Sequence, residues 1–200
     1  EEARLAARTQ VIERMQGRVW FVGSNDQNAP QIESGFRKAI EALDAHLAVR
    51  PYLFGGRPSF GDFGLWAQIY SAWTDPTAAA WIESSAPALL DWIHRMLWPT
   101  CEGSFESWSS VEGTLAPFLA EQVGALFCPW TEANAAAIAG GQEEFSVELA
   151  SGTWTQKPQK YHAKSLQAVR NRYAAVPDKS RLDPVLEAAG CLATLRSGQP

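Results

Sequence analysis

The stretch RPYLFGGRPSFGDFGLWAQIY, residues 50–70, contains four glycines within ten residues, and such stretches before a helix often bind phosphate. A P-loop requires GxxxxGK[ST] after a strand, but no lysine follows Gly55 and Gly56. A dinucleotide loop requires GxGxxG in a βαβ unit, and no such alternation is visible. Instead, Ser59 and Asp62 have the S-x-x-[DE] spacing of a capping box. We therefore predict that this segment starts a helix and that its glycines serve the fold.

A second candidate for chemistry is the basic and aromatic segment at residues 157–164, where Tyr161 and Lys164 follow Lys157 and Lys160. Ammonium and phenol groups can together bind a carboxylate, so Tyr161 and Lys164 are predicted to be anion-binding residues. The alternative is that this segment is a solvated face through which the tail of the chain packs on the rest. Both interpretations stay open on the sequence alone.

Charge and composition exclude several classes of function. The formal net charge is −5, which argues against a general nucleic-acid-binding protein. Residues 1–150 contain 9 Lys/Arg and 19 Asp/Glu, whereas residues 151–200 contain 8 and 3, so the tail is basic and the remainder acidic. No apolar run reaches the ~18 residues of a membrane span, and no stretch resembles a signal peptide. We expect neither nucleic acid nor a membrane as a partner.

The placement of cysteine and histidine predicts no metal site and no disulfide framework. Cys101, Cys128 and Cys191 are odd in number, widely spaced and outside any CxxC motif, and the three histidines lie far apart. We interpret the cysteines as packing residues in a reducing cytoplasm.

Hydrophobic periodicity predicts a mainly helical chain with one late hairpin. In the helix after Asp62, the spacing of Phe63, Trp66 and Trp73 predicts a buried central helix, with Gly61 and Gly64 close to another backbone. The predicted helices cover 2–16, 30–50, a segment from the capping box onward, a short segment from 75–76, 86–98, 115–139 with a kink or division at Pro129, 159–175 and 181–189. The remaining predictions are an extended stretch at 18–23, a loop at 99–114 and a β-hairpin at 143–157.

Within residues 36–98, the segment P-Y-L-x-G-x-x-P-S, the capping box after it and the pair Leu89 and Trp92 resemble the C-terminal helical domain of the glutathione S-transferase superfamily. The tail resembles the extension of a bacterial subset of such proteins, with the pattern W-x-Q-x-P-x-x-Y-x-x-K-x-L. The matching residues are Trp154, Gln156, Pro158, Tyr161, Lys164 and Leu166. Ala163 and Ser165 depart from the Gly and Cys that are frequent in that pattern.

The resemblance implies an all-α fold: a glutathione S-transferase C-terminal-like helical bundle with a small β-hairpin and further helices in a C-terminal extension. It places the core of the helical domain at residues 1–98. Residues 99–200 would form a family-specific extension, with a long helix, the hairpin and two terminal helices, packed on the same body.

In this superfamily a thioredoxin-like N-terminal domain holds glutathione and activates its thiol, and nothing in residues 1–200 resembles that domain. The resemblance therefore implies that this chain forms the co-substrate side of a glutathione-dependent transferase and is not catalytic alone. The first helix lies nearest the cleft in the family fold, so Arg8, Ile12 and Met15 are its implied substrate-binding residues.

The implied substrate is small and hydrophobic or electrophilic, with glutathione as co-substrate and no metal. The resemblance also allows a cytoplasmic homodimer. The alternative is a non-catalytic helical module that binds a protein partner or a hydrophobic ligand.

Overall fold

A computed structural model describes residues 1–197 as mostly helical with one two-stranded sheet, as the sequence predicts. Contacts divide the chain into two compact units. We call Gly35–Gln122 the helical unit, and Glu1–Ser34 together with the chain from Val123 onward the hairpin unit. No helix among the described residues is both long and apolar enough to cross a membrane.

The helices are α1 (Glu2–Gln16), α2 (Ala29–Leu47), α3 (Phe60–Trp73), α4 (Pro76–Ser85), α5 (Pro87–Arg95), α6 (Trp108–Phe118), α7 (Cys128–Ala139), α8 (Lys160–Ala174), α9 (Asp183–Ala188) and α10 (Leu192–Arg196). The strands are β1 (Phe145–Leu149) and β2 (Gly152–Gln156). A 3₁₀-helix covers Val19–Val22 and a π-helix covers Leu119–Phe127.

The core of the helical unit follows the predicted amphipathic pattern. Ile40, Leu43 and Leu47 recur at three-to-four spacing on α2 and are buried, together with Ile82 of α4 and Trp92 of α5. Removing such side chains from water stabilises the fold by roughly 1.5–3 kcal/mol each.

The capping box at the start of α3 is confirmed. The backbone N–H of Asp62 donates to Ser59 Oγ at 3.3 Å, and Asp62 Oδ2 accepts from the N–H of Ser59 at 2.8 Å. Asp62 is fully buried, and its Oδ1 also accepts from the Leu53 N–H and from Trp92 Nε1–H, at 2.9 and 3.1 Å. The preceding Gly55 has φ +115°, a conformation that favours glycine. Ser59, Asp62 and Gly55 therefore build the fold.

The prediction that α3 is buried on the Phe63 side is wrong. Phe63 is 49% exposed, and a Cβ added at Gly64 would meet no atom within 4 Å. A Cβ at Gly61 would meet side chains of Leu53 and Phe54 at 3.6 Å, not another backbone. The reason is geometric: residues 60, 63, 64 and 67 share one helix face, which is the exposed one, while Asp62 and Ile69 are buried.

The predicted loop at 99–114 is wrong over its last part, because α6 begins at Trp108. The serines and glycine of this segment have low helix propensity, but Val111 and Leu115 lie one turn apart and are both buried. The cysteine in this region, Cys101, is exposed, so its interpretation as a packing residue is also wrong.

In the hairpin unit, β1 and β2 pair antiparallel from Phe145 opposite Gln156 to Leu149 opposite Gly152, which confirms the hairpin. The tail helices are tied together by polar contacts. Arg170 Nε on α8 donates to the carbonyl oxygen of Thr194 on α10 at 2.8 Å.

The predicted extended stretch at 18–23 is wrong, and the predicted helical run at 115–139 is more divided than the sequence indicates. The stretch at 18–23 contains a 3₁₀-helix and no strand, because the hairpin strands pair only with each other and offer this stretch no partner. The run at 115–139 is three consecutive segments: the end of α6, the π-helix and α7. Pro129 lies in the first turn of α7, where its missing N–H costs nothing, so the predicted division is confirmed.

Candidate functional site

A groove of about 620 Å³ lies in the hairpin unit beside the start of α8. We call it the lysine groove and define it by Trp20, Glu143, Lys157, Lys160 and Tyr161, which all line it. Tyr161 is 78% exposed and Trp20 is 47% exposed. The ammonium nitrogen of Lys157 lies 4.9 Å from the centroid of the Trp20 ring, within the range of a cation–π contact.

A second cavity, of about 660 Å³, shares the Trp20 side chain with the lysine groove. Its other lining residues are Met15, Arg18, Val19 and Val22, and we call it the apolar pocket. Both volumes fall in the usual range for small-molecule sites, roughly 300–1,000 Å³. The two cavities thus meet at one tryptophan.

Trp20 is positioned by the turn that ends its 3₁₀-helix. Gly23 has φ +77°, and an added Cβ there would lie 2.6 Å from the ring of Trp154 and also clash with Gln156. Only glycine allows the chain to pass this close to β2. The buried Asn28 side chain then donates to the carbonyl oxygens of Gly23 and Thr155, at 2.8 and 3.0 Å.

Hydrogen bonds also constrain the chain on both sides of Lys157. Trp130 and Trp154 both donate their indole N–H to Gln156 Oε1, at 3.2 and 3.0 Å. The buried Asn134 on α7 donates to the carbonyl oxygen of Gln159 at 3.0 Å and accepts from its N–H at 2.6 Å. This pair of bonds fixes the residue that immediately precedes α8.

The described side chains that line the lysine groove can bind and orient a ligand, and they include no serine, cysteine or histidine. Lys157 and Lys160 supply positive charge, Tyr161 supplies a phenol, and Glu143 is the acidic group in the lining. No cluster of three or more potential metal ligands occurs in the part of the chain that the structure describes.

The buried Cys191 thiol is not suited to nucleophilic chemistry. Burial, together with the neighbouring Cys128 thiol, raises the pKa of Cys191 to about 12. The thiolate is the nucleophilic form, so Cys191 is protonated at neutral pH. Its prediction as a packing residue fits this environment.

A buried polar cluster in the helical unit is structural in character. His46 is 1% exposed; its Nε2–H donates to the carbonyl oxygen of Leu53 at 2.8 Å, so Nδ1 accepts from Thr114 Oγ1 at 2.7 Å. Burial is the main cause that lowers the pKa of His46, and the nearby Arg50 guanidinium lowers it further. Arg50 also donates to the carbonyl oxygen of Ser110 at 3.0 Å, so its charge is already engaged.

The predicted site residues are only partly brought together. Met15 lines the apolar pocket and Tyr161 lines the lysine groove, whereas Lys164 is exposed one turn further along α8. Arg8 and Ile12 are exposed on α1 and line neither cavity.

The sequence interpretation missed Trp20, Asn28 and Asn134. Trp20 lay in a stretch interpreted as extended, and a lone buried asparagine carries no sequence signal. Gly23, three residues after Trp20, is the feature of the sequence that indicates a turn.

The helices and the single hairpin define an all-α fold in which a capping box begins α3. The candidate site lies in the hairpin unit. Residues 10–95 match a family model described as "Glutathione S-transferase, C-terminal domain". This part of the chain is therefore a glutathione S-transferase C-terminal-like helical domain. No curated protein and no solved structure gives a significant match to the chain.

Proposed function

We propose that this chain forms the co-substrate side of a glutathione-dependent transferase and is not catalytic alone. The observation that carries the proposal is the family match at residues 10–95. The apolar pocket supports it, because α1 and the 3₁₀-helix after it present Met15, Val19 and Trp20 to a cavity large enough for a small apolar substrate.

In this proposal, a thioredoxin-like domain holds glutathione. The glutathione thiolate forms a carbon–sulfur bond to an electrophile, and the leaving group of the electrophile departs. In this proposal the chain binds the electrophile through Met15 in the apolar pocket and through Arg8 and Ile12, which lie exposed on α1 outside the lining of that pocket. These three residues remain proposed substrate-binding residues, and Tyr161 and Lys164 remain proposed anion-binding residues.

We also propose the setting of this activity: a bacterial, cytoplasmic homodimer that needs no metal and binds neither nucleic acid nor membrane. The acidic net charge of −5 supports the absence of nucleic acid. The three free cysteines support a reducing compartment.

Calorimetric titration of glutathione tests the proposal, with the longest natural form of the protein and residues 1–200 as its control. Binding to the long form alone is the expected result. Binding to neither form would overturn the glutathione assignment, and equal binding to both would overturn the division of roles.

A second candidate is a non-catalytic module that binds a protein or a hydrophobic ligand. The observation in its favour is the first helix, on which Leu5, Val11, Ile12 and Met15 are 43–61% exposed. Apolar side chains this accessible on one helix often mark an interaction surface. Hydrophobic-ligand binding without any glutathione binding would favour this candidate.

A further inference from the structure

We propose that the outer edge of β1 binds an extended, basic peptide segment of a partner protein, which adds to the hairpin as a third, antiparallel strand. This edge lies outside the linings of the lysine groove and the apolar pocket, and its binding is independent of the proposed glutathione-dependent function. Three observations support it: the direction of the hairpin's backbone groups, the bonds that some of them already make, and the charge of β1.

The register of the hairpin determines which backbone groups point away from it. A two-residue turn joins the strands, and the pair of residues that closes such a turn exchanges backbone hydrogen bonds. Bonded and non-bonded pairs alternate, so Ser146 opposite Thr155 and Glu148 opposite Thr153 are non-bonded pairs. Side chains lie closer in such pairs, and here the two hydroxyl oxygens of Ser146 and Thr155 are 2.8 Å apart. The backbone N–H and C=O groups of Ser146 and Glu148 therefore face away from β2.

The outer edge of β2 is already covered by side chains. Asn28 Nδ2 donates to the carbonyl oxygen of Thr155 at 3.0 Å, and Gln31 Nε2 donates to that of Thr153 at 2.8 Å. Ser151 Oγ donates in turn to Gln31 Oε1 at 2.8 Å. The start of α2 thus bonds the carbonyl groups that an added strand would need, so β2 is not available to one.

The outer edge of β1 is open. Ser146 and Glu148 are both exposed, and within residues 1–197 no hydrogen bond engages their outward backbone groups. They offer two donors and two acceptors in the pattern of an antiparallel ladder, and such an edge is a template for another strand. Phe145 is buried beside Trp130 of α7, with ring centroids 6.3 Å apart, so the strand is held in place before a segment binds.

The charge of β1 favours a basic segment. Residues 142–150 contain three glutamates and no lysine or arginine. Glu148 on the strand and Glu144 just before it are exposed, and neither takes part in an ion pair among the residues that the structure describes. Opposite charges on directly opposed residues stabilise an antiparallel pair, and like charges destabilise it. A segment with lysine or arginine at alternate positions therefore fits this edge, whereas a second copy of β1 would add like charge.

Fluorescence anisotropy with a labelled heptapeptide in which lysine alternates with valine tests the inference. In the antiparallel arrangement, lysines opposite Ser146 and Glu148 point their N–H groups at β1, and the valine N–H groups point away. The peptide N-methylated at its lysines should bind about tenfold more weakly, because each backbone hydrogen bond contributes roughly two- to tenfold in affinity. The peptide N-methylated at its valines should bind within about twofold of the unmodified one. Both carry the same charge, so general attraction to an acidic protein cannot produce the difference.

Variants of the protein test the same edge from the other side. Ser146→Pro removes one outward N–H and leaves the ladder between β1 and β2 intact, because proline is tolerated on a strand edge that faces solvent. It should weaken binding of the unmodified peptide about tenfold, and Glu148→Lys should weaken it about fivefold. Glu83→Lys, at an exposed glutamate of α4 in the helical unit, is the control and should leave the affinity unchanged.

The N-methylated pair uses the unchanged protein, so its result does not depend on how the variants fold. No binding of the unmodified peptide below about 1 mM, equal binding of the two N-methylated peptides, or unchanged binding to Ser146→Pro would each overturn the inference. A protein that sediments as a dimer, and as a monomer once it carries Ser146→Pro, would overturn the choice of occupant in favour of a second copy. Because these assays contain no glutathione, their failure is distinguishable from failure of the proposed function.

Discussion

Replacing the buried carboxylate of Asp62 should destabilise the protein far more than replacing an exposed helix cap. Asp62→Ala removes the acceptor for Leu53 N–H, Ser59 N–H and Trp92 Nε1–H. Asp75→Ala is the matched control, because Asp75 also caps a helix through two backbone bonds, to Thr77 and Ala78, but is exposed.

The expected difference follows from which donors water can reach. Leu53 and Trp92 are buried, so their donors stay unsatisfied in the Asp62 variant, at about 1–3 kcal/mol each. Loss of the helix cap adds about 1 kcal/mol. The total is roughly 3–7 kcal/mol for Asp62→Ala, against about 1 kcal/mol for Asp75→Ala, whose donors become hydrated.

Urea unfolding followed by tryptophan fluorescence and far-ultraviolet circular dichroism measures this difference. With an m-value of about 2 kcal/mol/M, the Asp62→Ala midpoint should fall by about 2 M and the Asp75→Ala midpoint by about 0.5 M. Equal midpoints for the two variants would refute the claim that burial of the unsatisfied donors sets the cost.

Three further predictions concern single groups. The folded state favours neutral His46, so its contribution to the free energy of unfolding should be fully present above pH 6.5 and should be lost as the pH falls through its lowered pKa in the folded state. Urea midpoints between pH 8 and 5 measure this loss, and an equally steep decline in His46→Gln would contradict it. Gly23→Ala should destabilise the protein by more than about 1 kcal/mol, because the residue has a positive φ and an added Cβ would clash with β2. Gly64→Ala should stabilise it by up to about 1 kcal/mol, because alanine favours a helix and no atom lies near the added Cβ. Thermal melts that rank the two variants the other way would refute this prediction. A thiol reagent such as 5,5′-dithiobis(2-nitrobenzoate) should react at once with exposed Cys101 and slowly with buried Cys191, and a single fast phase for all thiols would disprove the assigned burial.

Local sequence rules predicted the elements whose stabilising contacts are local. The capping box at Ser59 and Asp62 depends on residues three apart, and the helix start at Asp75 depends on a side chain and the next backbone groups. The hairpin likewise forms by pairing of β1 with β2, which are neighbours along the chain. Such contacts are visible in a short stretch of sequence.

The errors occurred where distant residues decide the structure. Periodicity placed Phe63 on an apolar face but could not tell which face would be covered. Low propensity suggested a loop before Leu115, yet burial of Val111 favoured a helix. The candidate site depends on contacts such as that of Asn28 with Thr155, across more than a hundred residues, and no local pattern reports them.

The hydrogen-bond acceptor that two tryptophans share has a consequence for how this chain can change over evolutionary time. Trp130 and Trp154 donate to the one oxygen of Gln156, and Gly23 leaves the space that this oxygen and the Trp154 ring occupy. Replacing Gln156 alone would strand two indole donors at once, and enlarging Gly23 alone would displace their acceptor. In related sequences, these four positions should therefore be kept together or replaced together, although Gly23 lies more than a hundred residues from the other three.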